Sequence, residues 1–384
     1  MNIKNSEKCF CGSGKKFKSC CKGKIYTNKG KYSEDIINNP QRINHIVQQK
    51  WKTTDFKMCM HPEKEKCKMP IKNAHSLQNN GVLSLIAEDG HVMITDLLNK
   101  VREDFVIKKV SKNQATTFYG FCKYHDSVVF KDIEISPYSE QVIQNFLYAY
   151  RSCAQEFHKK SREKKALQNC VKENPGILQS EIFVESYRNR MLSYKDVEEV
   201  ITIFNQSFLN GNYNILENYV YKFERKCEFA VTTMFCPAFD LQGKMINDIY
   251  SKNQERLRSI FITFCPTETK SYMILSCLKC DYAQLETYFK QVQELKKDEL
   301  KIYLNNVLPM FSENIVLSPR LWDSWTKFSK RQYEEMVVGE IGNFDKRLNG
   351  ESPFESFEEF FKGIQIKNGA IDVLQKTKYN LFKI

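Results

Sequence analysis

The chain has 384 residues, 42% of them hydrophobic, and a formal net charge of +12 at pH 7, so it has enough apolar material for two or three domains. No segment approaches about eighteen consecutive apolar residues, and the first ten residues contain no apolar run of the kind that directs secretion, which argues against a membrane-spanning or secreted protein. We therefore expect a cytoplasmic protein whose 14 cysteines stay reduced. Clustered cysteines in that compartment indicate metal binding rather than disulfides.

The positive charge is concentrated at the start of the chain. Residues 1–31 contain nine lysines and one glutamate, residues 32–72 contain eight basic and five acidic side chains, and residues 73–384 contain 41 and 40. A compact lysine-rich segment suits a polyanion. The sequence therefore predicts that the basic N-terminus binds nucleic acid or an acidic protein surface.

Four cysteines lie within the stretch KCFCGSGKKFKSCCKG, residues 8–23. The Gly-Ser-Gly turn lets the backbone reverse between two pairs of cysteines. Four thiolates can complete a tetrahedral zinc site on a segment too short to have its own core. A phosphate-binding loop is a poor match, because Cys9 stands where that loop requires glycine. The predicted zinc ligands are Cys9, Cys11, Cys20 and Cys21.

These residues resemble the SEC-C motif, a zinc knuckle of the form C-x-C-GSGKK-[YF]-K-x-C-H/C that is best known from the tail of the bacterial preprotein-translocase ATPase. Cys21 stands where the translocase form has histidine, and either residue can ligate zinc. The resemblance implies a small docking module. It does not imply one function, since the motif is found on many otherwise unrelated proteins.

A second group of cysteines and histidines extends from residue 59 to residue 125 and includes four of the six histidines of the chain. Cys122 and His125 have the C-x-x-H spacing with which one turn presents two ligands to one ion. Together with Cys59 and Cys67 they predict a second zinc site, of Cys₃His type. His61 is the alternative to Cys67, and the sequence leaves that choice open.

The same region is similar to the treble-clef HNH endonuclease family. Many members carry an Ala-His-Ile-x-Pro stretch after their first zinc knuckle, and here KMPIKNAHSLQ follows Cys67, which puts His75 where the family keeps its general base. The later FCKYHDSVVFKD puts Asp126 at the position of the catalytic metal ion. The resemblance implies that His75 would deprotonate a water for attack on phosphorus, with a divalent ion such as magnesium on Asp126.

Beyond residue 135 the periodicity predicts helices, then strands, then helices again. Helical patterns cover residues 139–169 and 193–209, and we also expect a helix in NILENYVYKFERK, residues 214–226. Strands are predicted from Cys227 onwards, with a hairpin around PTETKS, and the last hundred residues have the pattern of amphipathic helices.

Together these patterns predict a multi-domain α+β protein. Residues 1–31 form the zinc knuckle, residues 32–134 a treble-clef-like zinc domain with a helical linker, and residues 135–384 a helical domain with antiparallel strands and no assigned role. Its helical hairpins suit a spacer or an oligomerisation arm.

We expect a zinc-binding and nucleic-acid-binding protein, with one or two zinc ions and an HNH-type metal-dependent endonuclease core. By analogy, such a protein would suit bacterial defence. The alternative is a non-catalytic zinc adaptor that docks to a protein or a ribosome-like partner.

Overall fold

A computed structural model describes residues 3–25, 34–68, 70–96, 107–249, 255–348, 366–367 and 370–383. These residues form helices and antiparallel strands, so the predicted mixed class is confirmed. None of the helices in the described ranges has both the length and the apolar character needed to cross a membrane.

The helices and strands are numbered in chain order over the described residues. The helices are α1 (Lys22–Ile25), α2 (Glu34–Ile37), α3 (Pro40–Thr53), α4 (Ser84–Ile86), α5 (Lys123–Val129), α6 (Lys131–Glu134), α7 (Val142–Glu173), α8 (Glu181–Leu209), α9 (Tyr282–Gln293), α10 (Lys297–Phe311), α11 (Pro319–Ser324) and α12 (Lys327–Leu348). The strands are β1 (Ile71–His75), β2 (His91–Thr95), β3 (Ile107–Ser111), β4 (Thr117–Cys122), β5 (Leu216–Phe223), β6 (Phe229–Phe235), β7 (Ile260–Pro266), β8 (Ser271–Leu278), β9 (Ile315–Leu317), β10 (Ile366–Lys367) and β11 (Ala370–Ile371).

The chain forms two compact units, each assembled from separate stretches. The first consists of Met1–Lys57, Phe157–Glu199 and Ile341–Glu358, and the second of Met58–Glu156, Val200–Glu340 and Glu359–Ile384. The sequence predicted three domains that follow one another along the chain, whereas each of these units combines separate stretches. The predicted domain boundaries stay a prediction.

The first unit has one hydrophobic core to which the cysteine-rich N-terminus, α3, the end of α7 and the start of α8 all contribute. Helix α3 begins with Pro40 after Asn39, whose side chain accepts from the backbone N–H of Arg42 at 3.1 Å and so caps the helix. At its other end Arg162 of α7 donates to the carbonyls of Trp51 and Thr54. These bonds fix α3 against α7.

The second unit contains a seven-stranded antiparallel sheet, counted over the described residues, in the order β3-β2-β9-β6-β7-β8-β5. Strands β6 and β7 are rich in β-branched and aromatic residues, and almost every residue of both is buried, which is typical of central strands. The predicted hairpin is present as β7 and β8. The expectation of a helix at residues 214–226 is wrong. Most of that stretch forms strand β5, which is stabilised as a strand because all eight of its residues pair with β8.

The second unit also contains a small two-stranded hairpin, β1 with β4, which leads directly into α5. Residues 76–116 separate the two strands, and β2 and β3 within that stretch belong to the seven-stranded sheet. Ser76 ties the hairpin to this sheet, since its hydroxyl bonds with Asn314, whose amide also donates to the carbonyl of Thr232. The residues of the predicted second site all lie on or beside this hairpin.

Candidate metal centres

The first cysteine cluster is formed by a tight reversal of the backbone. Gly12 and Gly14 have φ values of +75° and +74°, which glycine adopts without the steric cost of a side chain. Across the turn the N–H of Cys9 donates to the carbonyl of Lys15 at 2.8 Å, and that of Phe17 to Glu7 at 2.8 Å. A short 3₁₀ turn at Phe17–Ser19 then delivers the second pair of cysteines.

The four sulfur atoms of this cluster have the spacing of a tetrahedral metal site. The Sγ atoms of Cys11 and Cys20 are 3.5 Å apart and those of Cys20 and Cys21 are 3.9 Å apart, and all four lie within 4.8 Å of one another. Zn–S bonds of about 2.3 Å place tetrahedral sulfur ligands roughly 3.8 Å apart. The geometry therefore fits one zinc ion.

The pKa values of these thiols are shifted in different directions. Burial raises the pKa of Cys9 and of Cys21. Burial acts in the same direction on Cys11, but hydrogen bonding to Ser13 and the neighbouring thiols outweighs it and lowers the pKa of Cys11 to about 7. Four thiolates this close repel one another, and a divalent cation among them removes that cost.

The knuckle is packed into the core of the first unit. The ring of Phe10 stacks on Tyr187 of α8, with centroids 4.3 Å apart and an interplanar angle of 12°. Arg188 forms an ion pair with Glu7 at 3.0 Å, and Phe17 is fully buried. The sequence did not reveal this packing, because the partners lie more than 170 positions along the chain.

The second cluster lies where strand β4 passes into helix α5. Cys122 ends the strand, and its sulfur accepts from the backbone N–H of His125 in the first helical turn. Cys59 and Cys67 come from the segment before β1, and backbone bonds from Met58 to Tyr119 and from Met60 to Gly120 hold that segment beside β4.

The three sulfur atoms of the second cluster lie close to the Nδ1 atom of His125. This nitrogen lies 3.3 Å from the Sγ atoms of Cys59 and Cys122 and 3.6 Å from that of Cys67. Zn–S and Zn–N bonds of about 2.3 and 2.05 Å place such atoms roughly 3.6 Å apart in a tetrahedron. The structure thus brings all four predicted residues together in a geometry that fits zinc.

His61 lies beside this cluster rather than within it. Its ring stacks on His125, with centroids 3.9 Å apart and an interplanar angle of 14°. Burial and His125 lower the pKa of His61 to about 4. His61, Glu63 and His125 form a further group with metal-binding atoms, but the lone pairs of nearly parallel rings run side by side rather than converging on one ion. The geometry therefore favours Cys67 as the fourth ligand.

His75 lies at the opposite end of the hairpin from this cluster. It pairs with Thr117, whereas Ile71 pairs with Cys122, so four residues of strand, about 13 Å, separate the two ends. His75 is half-buried, and its Nε2 atom has no hydrogen-bond partner among the described residues. Burial lowers the pKa of His75, and backbone hydrogen bonding to Lys112 and Asn113 opposes that shift. The lowered pKa favours the neutral ring, and its Nε2 atom is buried from solvent.

Asp126 follows His125 in the first turn of α5 and is half-buried. Neither Asp126 nor His75 belongs to any of the three metal-capable groups found among the described residues.

No family model, curated protein or solved structure matches this chain. The resemblances to the SEC-C knuckle and to the HNH family therefore rest on the residues themselves. What the structure gives is two Cys/His clusters that can bind metal.

Proposed function

We propose that this protein binds two structural zinc ions and cleaves nucleic acid through its β1–β4–α5 module, in the manner of the HNH endonucleases that the sequence resembles. The observation that supports it is the placement of His75: a half-buried imidazole with an unpartnered Nε2 on the strand next to the one that leads into the Cys₃His cluster. The setting we expect is the bacterial cytoplasm, with foreign DNA as the substrate.

Each residue of the module has a separate task in this proposal. Both zinc clusters supply four protein ligands, which is typical of structural rather than catalytic zinc. His75 takes a proton from the attacking water, a role for which a neutral ring is required. Asp126 lies at the Cys₃His end of the hairpin, about 13 Å of strand away from His75, so a divalent ion such as magnesium held there would offset the charge of a neighbouring phosphate rather than of the one that is attacked.

Cleavage assays on single-residue variants test the proposal. We expect His75→Ala to reduce cleavage of plasmid DNA or single-stranded RNA in Mg²⁺ by about 10²- to 10⁴-fold, with two zinc ions retained. His91→Ala is the matched control, since His91 is an exposed histidine of β2. Equal cleavage by His75→Ala and wild type would contradict the proposal, and loss of zinc in His75→Ala would show that the substitution disrupts the hairpin on which the Cys₃His cluster depends.

The lysines of the knuckle form the docking surface in this proposal. The apolar side chains of the knuckle pack into the core of the first unit, and the side chains left exposed include Lys8, Lys15, Lys16 and Lys18. Amines spread over a rigid turn suit contacts with successive phosphates.

The salt dependence of binding tests this surface. Replacing the four lysines by glutamine should lower the slope of log K against log salt for a short DNA duplex by about 0.9 for each phosphate that the protein no longer neutralises. The charge-matched control replaces four exposed lysines of the second unit: Lys244, Lys297, Lys327 and Lys383. An unchanged slope in the knuckle variant would show that the knuckle lysines do not contact the nucleic acid.

A non-catalytic adaptor is the second candidate, and the closed four-ligand character of both clusters favours it. In that case the same lysines contact an acidic protein surface and His75 is structural. His75→Ala would then leave partner binding unchanged, while the four lysine replacements would abolish it.

A further inference from the structure

A stripe of polar side chains on α7 holds the segment that follows α3 in the first unit. His158, Arg162 and Lys165 are spaced at i, i+4 and i+7, so they lie on one face of the helix. Their side-chain nitrogens each lie 3.0 Å from one of three consecutive backbone carbonyl oxygens, those of residues 54–56. An irregular segment whose carbonyls are bound in this way presents its side chains from a fixed backbone.

Two aromatic rings beside this stripe each have a cation close to them. The guanidinium of Arg162 lies over the ring of Trp51, 4.3 Å from its centroid, and the Nζ atom of Lys165 lies 5.7 Å from the centroid of the Phe56 ring. Both aromatic residues are half-buried, so part of each side chain remains open to solvent. We call Trp51, Phe56, Arg162 and Lys165 the aromatic–basic surface.

The positive charge of the aromatic–basic surface is not neutralised by carboxylates. The hydrogen bonds of Arg162 and Lys165 go to backbone carbonyls, and neither side chain forms an ion pair in the part of the chain that the structure describes. Residues 50–57 and 157–165 together carry eight basic and two acidic side chains. Both acidic ones already form ion pairs with basic residues outside this surface. The surface is therefore complementary to a polyanion.

The aromatic rings distinguish this surface from the lysines of the knuckle. A phosphate requires only the cations, whereas the open part of an aromatic ring suits the flat face of a base. In a duplex each base is covered by its neighbours in the stack, so a base reaches a ring on a protein surface most readily from an unpaired strand. The combination of rings and unneutralised cations favours a single strand over a duplex and over an acidic protein.

We propose that the aromatic–basic surface binds single-stranded nucleic acid. Bases stack on Trp51 and Phe56. Phosphates contact Arg162 and Lys165: the arginine uses its Nε and Nη2 atoms for carbonyls, which leaves Nη1 for a phosphate oxygen. This binding goes beyond the proposed cleavage and does not depend on it, since none of these residues belongs to the β1–β4–α5 module.

The test is the binding of a fluorescein-labelled oligothymidylate of about 15 nucleotides to the full zinc-loaded chain, in buffer without Mg²⁺ so that cleavage plays no part. We expect Trp51→Leu to weaken binding by about 5- to 100-fold, because one stacked base contributes that much. Affinity for a duplex of the same length should not change. Phe56→Leu should also weaken binding of the single strand. Its matched control is Phe328→Leu, which removes an exposed ring from α12 and should bind as wild type does.

The salt dependence of the same binding separates the cations from the rings. Lys165→Gln should lower the slope of log K against log salt by about 0.7 for each phosphate that the protein no longer neutralises. Trp51→Leu should keep the wild-type slope, because stacking releases no counterions. Lys327→Gln, which removes an exposed lysine of the second unit, is the control and should also keep that slope.

Three results would overturn the inference. The first is unchanged affinity for oligothymidylate in Trp51→Leu, and the second is an equal loss of affinity for the duplex. The third is binding of polyglutamate that is tighter than that of oligothymidylate at the same salt and is lost in Trp51→Leu, which would assign the surface to an acidic protein. Zinc content and the midpoint of denaturant unfolding show whether each variant is folded.

Tryptophan fluorescence decides the question if Trp51→Leu fails to fold. Trp322 and Trp325 are only 7% and 9% exposed, so a base stacked on Trp51 should quench the emission of that residue alone. Quenching by oligothymidylate should therefore disappear in Trp51→Phe while binding remains. Quenching that persists in Trp51→Phe would place the bases elsewhere. A chain that binds oligothymidylate in this way without cleaving it would contradict the proposed function and leave this inference standing.

Discussion

The Cys₄ and Cys₃His clusters present similar ligand chemistry but are constructed differently. Twelve positions separate the first and last ligands of the Cys₄ cluster, and a turn with two glycines at positive φ brings them together. Sixty-six positions separate Cys59 from His125, and a strand pairing and a helix start bring those ligands together. The first is a local structure supported by tertiary packing, whereas the second exists only once the hairpin has formed.

Removing one ligand from each cluster should show most clearly that the two clusters bind zinc independently. We expect Cys21→Ser and Cys122→Ser each to reduce the zinc content from two ions to one, because a structural zinc contributes on the order of 10 kcal/mol to the folding of its site. Hydrogen exchange should rise around Phe10 and Phe17 in the first variant and along β1 and β4 in the second.

Cys280→Ser is the control for both variants, since Cys280 is exposed and lies outside the clusters. Two zinc ions remaining in Cys122→Ser would contradict the Cys₃His assignment. Hydrogen exchange that rises equally in both units would contradict the separate support that we assign to each cluster.

Buried histidines provide a second contrast. In the second unit His125 turns Nδ1 towards three sulfurs, whereas in the first unit the Nε2 of His158 bonds to the carbonyl of Phe56 at 3.0 Å. Burial lowers the pKa of His158, so below its ordinary pKa of about 6.5 the unfolded chain takes up a proton that the folded chain does not. His158 should therefore make the first unit less stable as the pH falls below that value.

Denaturant unfolding between pH 7 and 5.5, with zinc content monitored, measures this effect. The slope from one proton cannot exceed about 1.4 kcal/mol per pH unit, and His158→Gln should remove it. His45→Gln, which changes an exposed histidine of α3, should keep the wild-type slope. An equal slope in His158→Gln and wild type would show that His158 is not responsible.

The smallest expected effect concerns how the knuckle turn packs. Gly12→Ala and Gly14→Ala share the cost of a positive φ, about 1–2 kcal/mol. A Cβ at Gly12 would lie 2.5 Å from the side chain of Gln168, whereas a Cβ at Gly14 would meet nothing within 4 Å. We expect Gly12→Ala to destabilise the first unit by up to about 1 kcal/mol more than Gly14→Ala, and Gln168→Ala to remove that difference. If Gly12→Ala still destabilises the first unit more than Gly14→Ala does in the Gln168→Ala background, the predicted packing of the turn against Gln168 is contradicted.

The sequence predicted those features that local spacing controls. Cys9 to Cys21 could be grouped because they are adjacent along the chain, and Cys122 with His125 because one turn presents both. The choice between Cys67 and His61 could not be made, since both precede β1. The structure distinguishes them, because the Sγ atom of Cys67 lies 3.6 Å from His125 Nδ1 whereas the ring of His61 stacks on that of His125.

Features that depend on partners distant along the chain could not be predicted, because local spacing does not reveal them. The helix expected at residues 214–226 is a strand because β8 supplies its partner. The knuckle was expected as a separate module, yet Phe10 packs on Tyr187.

The length of chain inserted into the β1–β4 hairpin also has a consequence for synthesis and metal loading. A ribosome that has released Cys21 has produced every ligand of the first cluster, whereas the second cluster must wait for His125. Closing the longer span costs about 1.5 kcal/mol more chain entropy, and it requires a strand pairing of high contact order, which forms slowly. Zinc should therefore enter the nascent chain in a fixed order, first at the knuckle and later at the hairpin.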